Sequence, residues 1–234
     1  MTCRKIVVTN VKGGCGKSTI ACNIAAYYAQ QGLNVSIYDH DKQGSSLDWL
    51  ERRQKNLPRI RGIDASKKHE LSITRSWFLR QSPDLDVAIT DTPAGIEMEE
   101  LFSLFQDDES VIIPVLPSPV DIQTTEKFIE KLIRHQHSFG KNIRLAVVAN
   151  RMRKNTLMSR KLEGFLSNLG IPFSACLRDT QFYVQAFDIG AGIHDLSSAK
   201  LVNDQRHWRP LFRWLEKPYV EPNLTLPIQA TQQY

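Results

Sequence analysis

A short apolar run, Ile6-Val7-Val8, leads into Lys12-Gly13-Gly14-Cys15-Gly16-Lys17-Ser18-Thr19, and a helical pattern from Ile20 to Ala29 follows at once. Strand, glycine-rich loop and helix in that order are the setting in which a phosphate loop works. Glycines let successive backbone N–H groups turn toward one point and cradle phosphate oxygens. The helix N-terminus adds its dipole there. Lys17 is then placed to reach the β- and γ-phosphates, and the Ser18 hydroxyl to hold Mg2+. The stretch is one residue tighter than the common G-x-x-x-x-G-K-[ST] pattern and reads K-G-G-x-G-K-[ST]-[ST]. Its front lysine, Lys12, is one that an ordinary phosphate loop does not need. Cys15 is either an oxidisable thiol or a small neutral filler; the four cysteines show no C-x-x-C spacing, which favours the filler.

Further along, short apolar runs alternate with longer amphipathic stretches. Strands are expected at 5–9, 35–38, 87–90, 111–115 and 143–149, with weaker ones near 60–63 and 173–177. Helices are expected over 18–31, 66–81, 96–105, 121–138, 156–169 and 199–216. Gly32, Gly140 and Gly170 fall where helices should stop. Near-continuous apolar strands alternating with helices predict an α/β fold, a phosphate-loop NTPase with a doubly wound, mostly parallel sheet covered by helices on both faces. Residues 1–217 are read as one domain, and 218–234, with Pro218, Pro222 and Pro227, as an extended tail. Ligands of such folds bind outside the carboxyl ends of the strands, and the remaining motifs sit at such ends.

Asp39-His40-Asp41-Lys42-Gln43-Gly44-Ser45 follows the second strand. Carboxylates at i and i+2 there can both approach a metal–phosphate centre, one supporting the Mg2+ shell through water and the other orienting a nucleophilic water. The same residues also suit a plain polar turn. Asp91 ends the apolar run Val87-Ala88-Ile89. An acid buried at a strand end is costly unless paired or near a metal, which suits a carboxylate that serves Mg2+. Asn150-Arg151 follows the strand at 143–149 and is either a purine-reading amide and a stacking guanidinium or a simple exit into a loop. Leu177-Arg178-Asp179 is a weaker candidate for the same pocket.

Taken together, Lys12–Thr19, Asp39-x-Asp41-x-Gln43-Gly44, the run Ile89 to Gly95 and Gly192-Ile193-His194-Asp195-Leu196 resemble the ParA/MinD family of deviant Walker ATPases. The resemblance spans residues 4 to about 216. It implies an ATP-sandwich homodimer with ATP and Mg2+ as cofactors, in which Gly13, Gly14, Cys15, Gly16, Lys17, Ser18 and Thr19 hold phosphate. It further implies that Lys12 reaches the partner's phosphates and steadies developing charge as an arginine finger does. Asp41 would position the attacking water, Asp39 and Asp91 would serve the metal with Ser18, and hydrolysis would be slow and partner-stimulated. Lys42 stands where the family often has proline, and His40 is an unusual spacer.

Charge is spread unevenly. Residues 51–80 carry nine Lys/Arg against three acids, residues 81–130 one against twelve, and residues 151–217 eleven against six. Such blocks either form a basic face for a polyanion or scatter over the folded surface. The ParA branch binds non-specific duplex DNA, and Arg151, Arg153, Lys154, Arg160, Lys161, Lys200, Arg206, Arg209 and Arg213 are the candidates for it here. Arg206, Arg209 and Arg213 share one helix face at i, i+3 and i+7, which also suits a solvated surface. The mostly uncharged end of the chain supplies no cationic amphipathic helix for a membrane, and no run of about 18 apolar residues exists to span one. With no secretory h-region and no disulfide pattern, a cytoplasmic protein is expected, and the resemblance to the ParA branch implies that it is nucleoid-associated. The resemblance implies positioning or segregation of a cargo (DNA, a carboxysome or a chemotaxis cluster) with a stimulatory adaptor. A metabolic or regulatory ATPase of the same fold, without DNA, is the alternative.

Overall fold

Seven parallel strands form one sheet in the order β3-β2-β4-β1-β5-β6-β7. The chain, a computed structural model, is described over residues 3–66, 84–105, 108–153, 156, 157, 160–162, 164 and 173–217. The strands are β1 (Arg4–Val8), β2 (Val35–Asp39), β3 (Arg61–Asp64), β4 (Val87–Asp91), β5 (Glu109–Val115), β6 (Ile143–Met152) and β7 (Phe173–Arg178). The principal helices are α1 (Lys17–Gln30), α2 (Ser45–Glu51), α3 (Met98–Leu104), α4 (Pro119–Phe139), α5 (Gln181–Asp188) and α6 (Val202–Glu216). From β1 the chain builds one way to β2 and β3, returns through β4, and then builds β5 to β7 on the other side. That reversal opens a crevice at the carboxyl ends of β1 and β4.

Alternation along each strand feeds two separate cores. Ile6 and Val8 of β1, Ile112 of β5 and Val148 of β6 pack with α1, Trp49 of α2 and Trp208, Leu211, Phe212 and Leu215 of α6. Val7, Val111, Ile113 and Val147 point the other way, onto Leu101 and Phe102 of α3 and Phe128, Ile129 and Leu132 of α4. At roughly 25 cal/mol per Å2 of apolar area, these two layers are the main source of stability.

All seven expected strands are present. The helix expected at 66–81 lies outside the described residues, as do Gly170, most of 156–169 and the tail at 218–234. The stretch expected as one helix over 199–216 begins instead as a 3-10 turn, Ala199–Leu201, before α6. Helices α2 and α5 are additions that periodicity did not foresee. Helix α2 owes its start to a neighbour outside it. The Asp39 carboxylate at the end of β2 accepts the backbone N–H groups of Ser46 at 3.1 Å and Leu47 at 3.4 Å. This satisfies donors that a helix N-terminus leaves unpaired. Thr180 caps α5 in the usual way, its hydroxyl accepting from the Phe182 N–H.

Two tethers position α6. Arg144 of β6 donates to the carbonyls of Trp214, Leu215 and Lys217 at 3.0, 2.9 and 2.7 Å, and its guanidinium lies 4.4 Å from the Trp214 ring centroid. The last carbonyls of α6 are thereby satisfied from the sheet. At the other end, Gln205 donates to the carbonyls of Ile193 and Leu196 at 3.0 and 3.1 Å. The segment 190–196 is itself gripped from two sides. Ile193 N–H donates to Asn23 Oδ1 of α1 at 2.8 Å, and Trp49 Nε1 of α2 donates to the Ala191 carbonyl at 3.2 Å. Arg53 forms a buried, two-pronged ion pair with Asp195 at 2.7 and 3.1 Å.

Candidate functional site

The crevice at the strand ends holds a cavity of about 520 Å3. Its lining comes from Gly13, Gly14 and Gly16 to Thr19 of the loop, Asp41, Gln43 and Ser45 after β2, Pro93 and Ala94 after β4, Arg151 of β6, and Phe187 of α5. Residues separated by up to 174 positions thus face one space.

The loop takes a shape that ordinary side chains resist. Gly14 and Gly16 have φ of 74° and 96°, in the left-handed region. A Cβ on Gly16 would also fall 2.3 Å from Asn150 Nδ2. That amide donates to the Cys15 carbonyl at 2.8 Å, while Asn150 Oδ1 accepts the Arg151 N–H at 2.9 Å. Asn150 is therefore tied to the back of the loop and does not line the cavity; of the pair expected to frame a base, Arg151 is the one that does. Arg151 has φ of 52°, a conformation rare for a side chain of its size and one that costs about 1–3 kcal/mol. Cys15 is buried, its thiol donates to the Lys12 carbonyl at 3.3 Å, and burial pushes its pKa up.

The two loop lysines part company. Lys17 is buried, with Nζ donating to the Lys12 carbonyl at 3.1 Å at the cavity wall. Lys12 is 35% exposed, is absent from the cavity lining, and has its ammonium 3.8 Å from Asp121 Oδ1 at the start of α4. Asp121 is held by the Ser118 hydroxyl. Asn10 fixes the backbone before Lys12, accepting its N–H at 3.2 Å and donating to the Pro114 carbonyl at 2.7 Å.

The three acids differ in what their oxygens do. Asp39 is fully buried with both oxygens engaged: Oδ1 accepts the Asp41 N–H at 2.9 Å, and Oδ2 accepts the Ser46 hydroxyl at 2.6 Å as well as the N-terminal N–H groups of α2. Asp41 faces the cavity, with Oδ1 accepting the Gln43 N–H at 3.0 Å. Asp91 is buried and neither oxygen reaches a protein donor at hydrogen-bonding geometry. Burial raises its pKa to about 7; the nearby Ser18 hydroxyl and Lys17 offset part of that, and the Asp39 and Asp41 charges add to it. His40 between the two loop acids is kept neutral by burial, its pKa lowered to about 4.

These residues fit a magnesium nucleotide. The orphaned Asp91 oxygens beside Ser18 offer what a hard cation needs, and the glycine cradle offers N–H groups for phosphate. Among the described residues no three His, Cys, Asp or Glu side chains converge on one point. Mg2+ takes one or two protein oxygens and completes its shell with phosphate and water. Asp39, with its oxygens spent on backbone donors, reaches such an ion less directly than Asp91.

Of the expected DNA contacts, Arg160, Lys161, Lys200, Arg206, Arg209 and Arg213 are exposed, and Lys154 lies outside the described residues. Arg153 is also exposed but is paired with Asp179 at 2.7 Å. Arg178 binds Asp204 with both prongs, at 2.8 and 2.7 Å, so Leu177-Arg178-Asp179 lines no part of the cavity. Sequence reasoning did not single out Phe187 or Asp121. Phe187 follows no spacing from the loop, and Asp121 had only its place after Ser118-Pro119, a helix-start signal, to mark it.

Fold and site define a phosphate-loop nucleotide-binding ATPase. The family model described as the CobQ/CobB/MinD/ParA nucleotide binding domain matches residues 6–188, and the chain belongs to that family. It is 27% identical over 198 residues to "Maintenance of carboxysome distribution protein A" of Halothiobacillus neapolitanus, covering 82% of this chain and 88% of that one. Among solved structures, a plasmid partition protein from Borrelia burgdorferi B31 bound to AMPPNP superposes with a TM-score of 0.71 at 16% identity, over 91% of this chain and 100% of that chain. Apo McdA from Cyanthece superposes with a TM-score of 0.70 at 16% identity, over 90% and 100%. At those identities the structures establish a shared fold.

Proposed function

We propose that this chain is a ParA-type positioning ATPase. It closes an ATP-bound homodimer with Mg2+, binds duplex DNA without sequence preference in that state, and distributes a cargo over the nucleoid through slow, partner-stimulated hydrolysis. The observation that carries this reading is Lys12. It is built into the phosphate loop, yet it is absent from the cavity lining of its own chain and is 35% exposed. Within its own subunit that cation pairs with Asp121 and does not face the cavity, whereas across a two-fold interface it can meet the phosphates of a second copy. A relative that shares 27% identity bears a name for carboxysome distribution, which supports the positioning role.

In this reading Lys17 and Ser18 act within the subunit, Asp41 orients the attacking water, and Asp91 with Ser18 serves the metal. Bound Mg2+ would neutralise charge that develops on the phosphates. Asp39 holds the Asp41 turn and α2 in place. Arg206, Arg209 and Arg213 offer three exposed cations on one face of α6 for DNA phosphates, which need positive charge and no base code.

The test is binding to random-sequence duplex DNA without nucleotide, with ADP and with ATP, at low and moderate salt. Tight, salt-sensitive binding with ATP alone, lost in Lys17→Ala and in Lys12→Ala, supports the reading. Intact ATP turnover with no DNA binding in any nucleotide state would move the chain to a metabolic or regulatory ATPase. Charge reversal at each α6 arginine should weaken binding across all sequences. A neutral variant that loses one phosphate contact should flatten the log–log salt slope by about 0.9.

A further inference from the structure

The cavity lining divides by chemistry. From Gly13 to Ser45 it is backbone N–H groups, hydroxyls, an ammonium, an amide and the Asp41 carboxylate, which suit phosphate, metal and water. The rest of the lining is Pro93, Ala94, Arg151 and Phe187, of which the last two bring a planar guanidinium and an aromatic ring. Phosphate recognition has no use for a phenyl ring, whereas a nucleobase has a π-face that stacks on one.

The Phe187 ring is held from several sides. It packs against the core formed by α1, α2 and α6. The Arg52 guanidinium lies over the ring, 5.6 Å from its centroid. Arg52 is absent from the cavity lining, whereas Phe187 is part of it. Three residues on, Gly190 fixes the end of α5 against the end of α2. Its φ is 66°, and a Cβ there would fall 2.3 Å from the Arg53 backbone nitrogen. Both wall residues therefore have constrained positions, Arg151 by its left-handed backbone and Asn150 behind it, Phe187 by Arg52 and the Gly190 junction.

We infer that Phe187 is the stacking platform for the nucleobase, with Arg151 as the second planar group of the same subsite. This rests on the nucleotide-binding reading of the cavity and adds to it the residue that holds the non-phosphate end. Phe187 touches the ligand and takes no part in bond-breaking. Because every base has a π-face, such a platform supplies affinity for the base without by itself choosing among bases. Through Arg52 the occupied platform also abuts α2, whose opposite end carries the Asp39–Asp41 turn.

The experiment compares the full chain with Phe187→Leu and Phe187→Trp. Leucine keeps an apolar contact with the core but has no π-face; tryptophan keeps and enlarges one. Titrations in Mg2+ use ADP and, as a base-free probe, tripolyphosphate, with thermal midpoints recorded for each protein. Phe187→Leu should bind ADP about tenfold more weakly, within the range of one base–aromatic stack, and tripolyphosphate within about twofold of the parent. Phe187→Trp should keep parental ADP affinity, and ADP but not tripolyphosphate should quench the added indole emission. Unchanged ADP affinity in a folded Phe187→Leu overturns the inference while leaving nucleotide binding intact. Equal weakening for ADP and tripolyphosphate also overturns it, because the effect then falls on the phosphate end. Failure of the unaltered chain to bind ADP would overturn both this inference and the nucleotide reading beneath it.

Discussion

Asn150 Nδ2 donates to the Cys15 carbonyl at 2.8 Å, so the end of β6 holds the phosphate loop from behind. The contact exists because Gly16 has no Cβ: one there would lie 2.3 Å from the same nitrogen. Asn150→Ala should cost about 1–3 kcal/mol of stability, the penalty for a buried carbonyl left unpaired, and should weaken nucleotide binding. Gly16→Ala should be worse for binding, since it combines that clash with a left-handed backbone. Denaturant melts alongside ADP titrations check both. Full ADP affinity in Gly16→Ala would show that the loop tolerates displacement of Asn150.

Asp39 and Asp41 are two residues apart and should fail differently. Asp39 Oδ2 accepts the first backbone donors of α2 and Oδ1 the Asp41 N–H, so Asp39→Asn should lower stability by about 1–3 kcal/mol. Asp41 faces the cavity, so Asp41→Asn should leave stability within about 0.5 kcal/mol while turnover falls by about 100-fold or more. A stability loss confined to Asp41→Asn would reverse the roles given to the two acids.

Asp91 makes the ligand-free chain sensitive to pH. Its folded pKa of about 7 lies above the ordinary carboxylate value, so between the two the folded chain keeps a proton that the unfolded chain has released. Stability from this group is therefore full below the ordinary value and is lost as pH rises toward 7. His40 and His194, lowered to about 4 by burial, act oppositely: acid costs stability because the unfolded imidazoles protonate first. The difference between parent and Asp91→Asn isolates the carboxylate. The variant should gain in thermal midpoint relative to the parent above pH 7 and lose that gain toward pH 4. A pH-independent difference would mean that Asp91 does not titrate in that window. Mg2+ should oppose the effect, since it requires the ionised carboxylate.

Two arginine–aspartate pairs of equal length should differ several-fold in worth. Arg53–Asp195 and Arg153–Asp179 both measure 2.7 Å, but the first pair's side chains are 5% and 0% exposed and the second pair's 75% and 35%. Arg53→Met should cost about 3–5 kcal/mol by leaving the Asp195 charge buried without its partner. Arg153→Ala should cost under about 1 kcal/mol. Urea denaturation of the two variants decides it; comparable losses would mean that burial does not govern the Arg53 pair.

The strands were legible because every central strand is buried on both sides, so residues of both parities are apolar, as in Ile6-Val7-Val8 and Val111-Ile112-Ile113. The phosphate loop was legible because its geometry is local and its glycines are adjacent. Helix α2 was not, since the group that starts it, Asp39, belongs to the preceding strand and its seven residues are too few to show a period. For Asp39, sequence gives the carboxylate's place along the chain but not the donors that occupy it. The surroundings of Asn150 and Phe187 were not legible because each meets a partner far away in the chain, Cys15 and Arg52 respectively.

The grip of Arg144 on the carbonyls of Trp214, Leu215 and Lys217 has a mechanical side. Arg144 sits on β6, which is hydrogen-bonded to β5 and β7 on either flank, so fraying of the end of α6 must break side-chain bonds to an inner strand of the sheet as well as helix bonds. The last turn of α6 is thus fastened to the sheet by a side chain as well as by its own backbone.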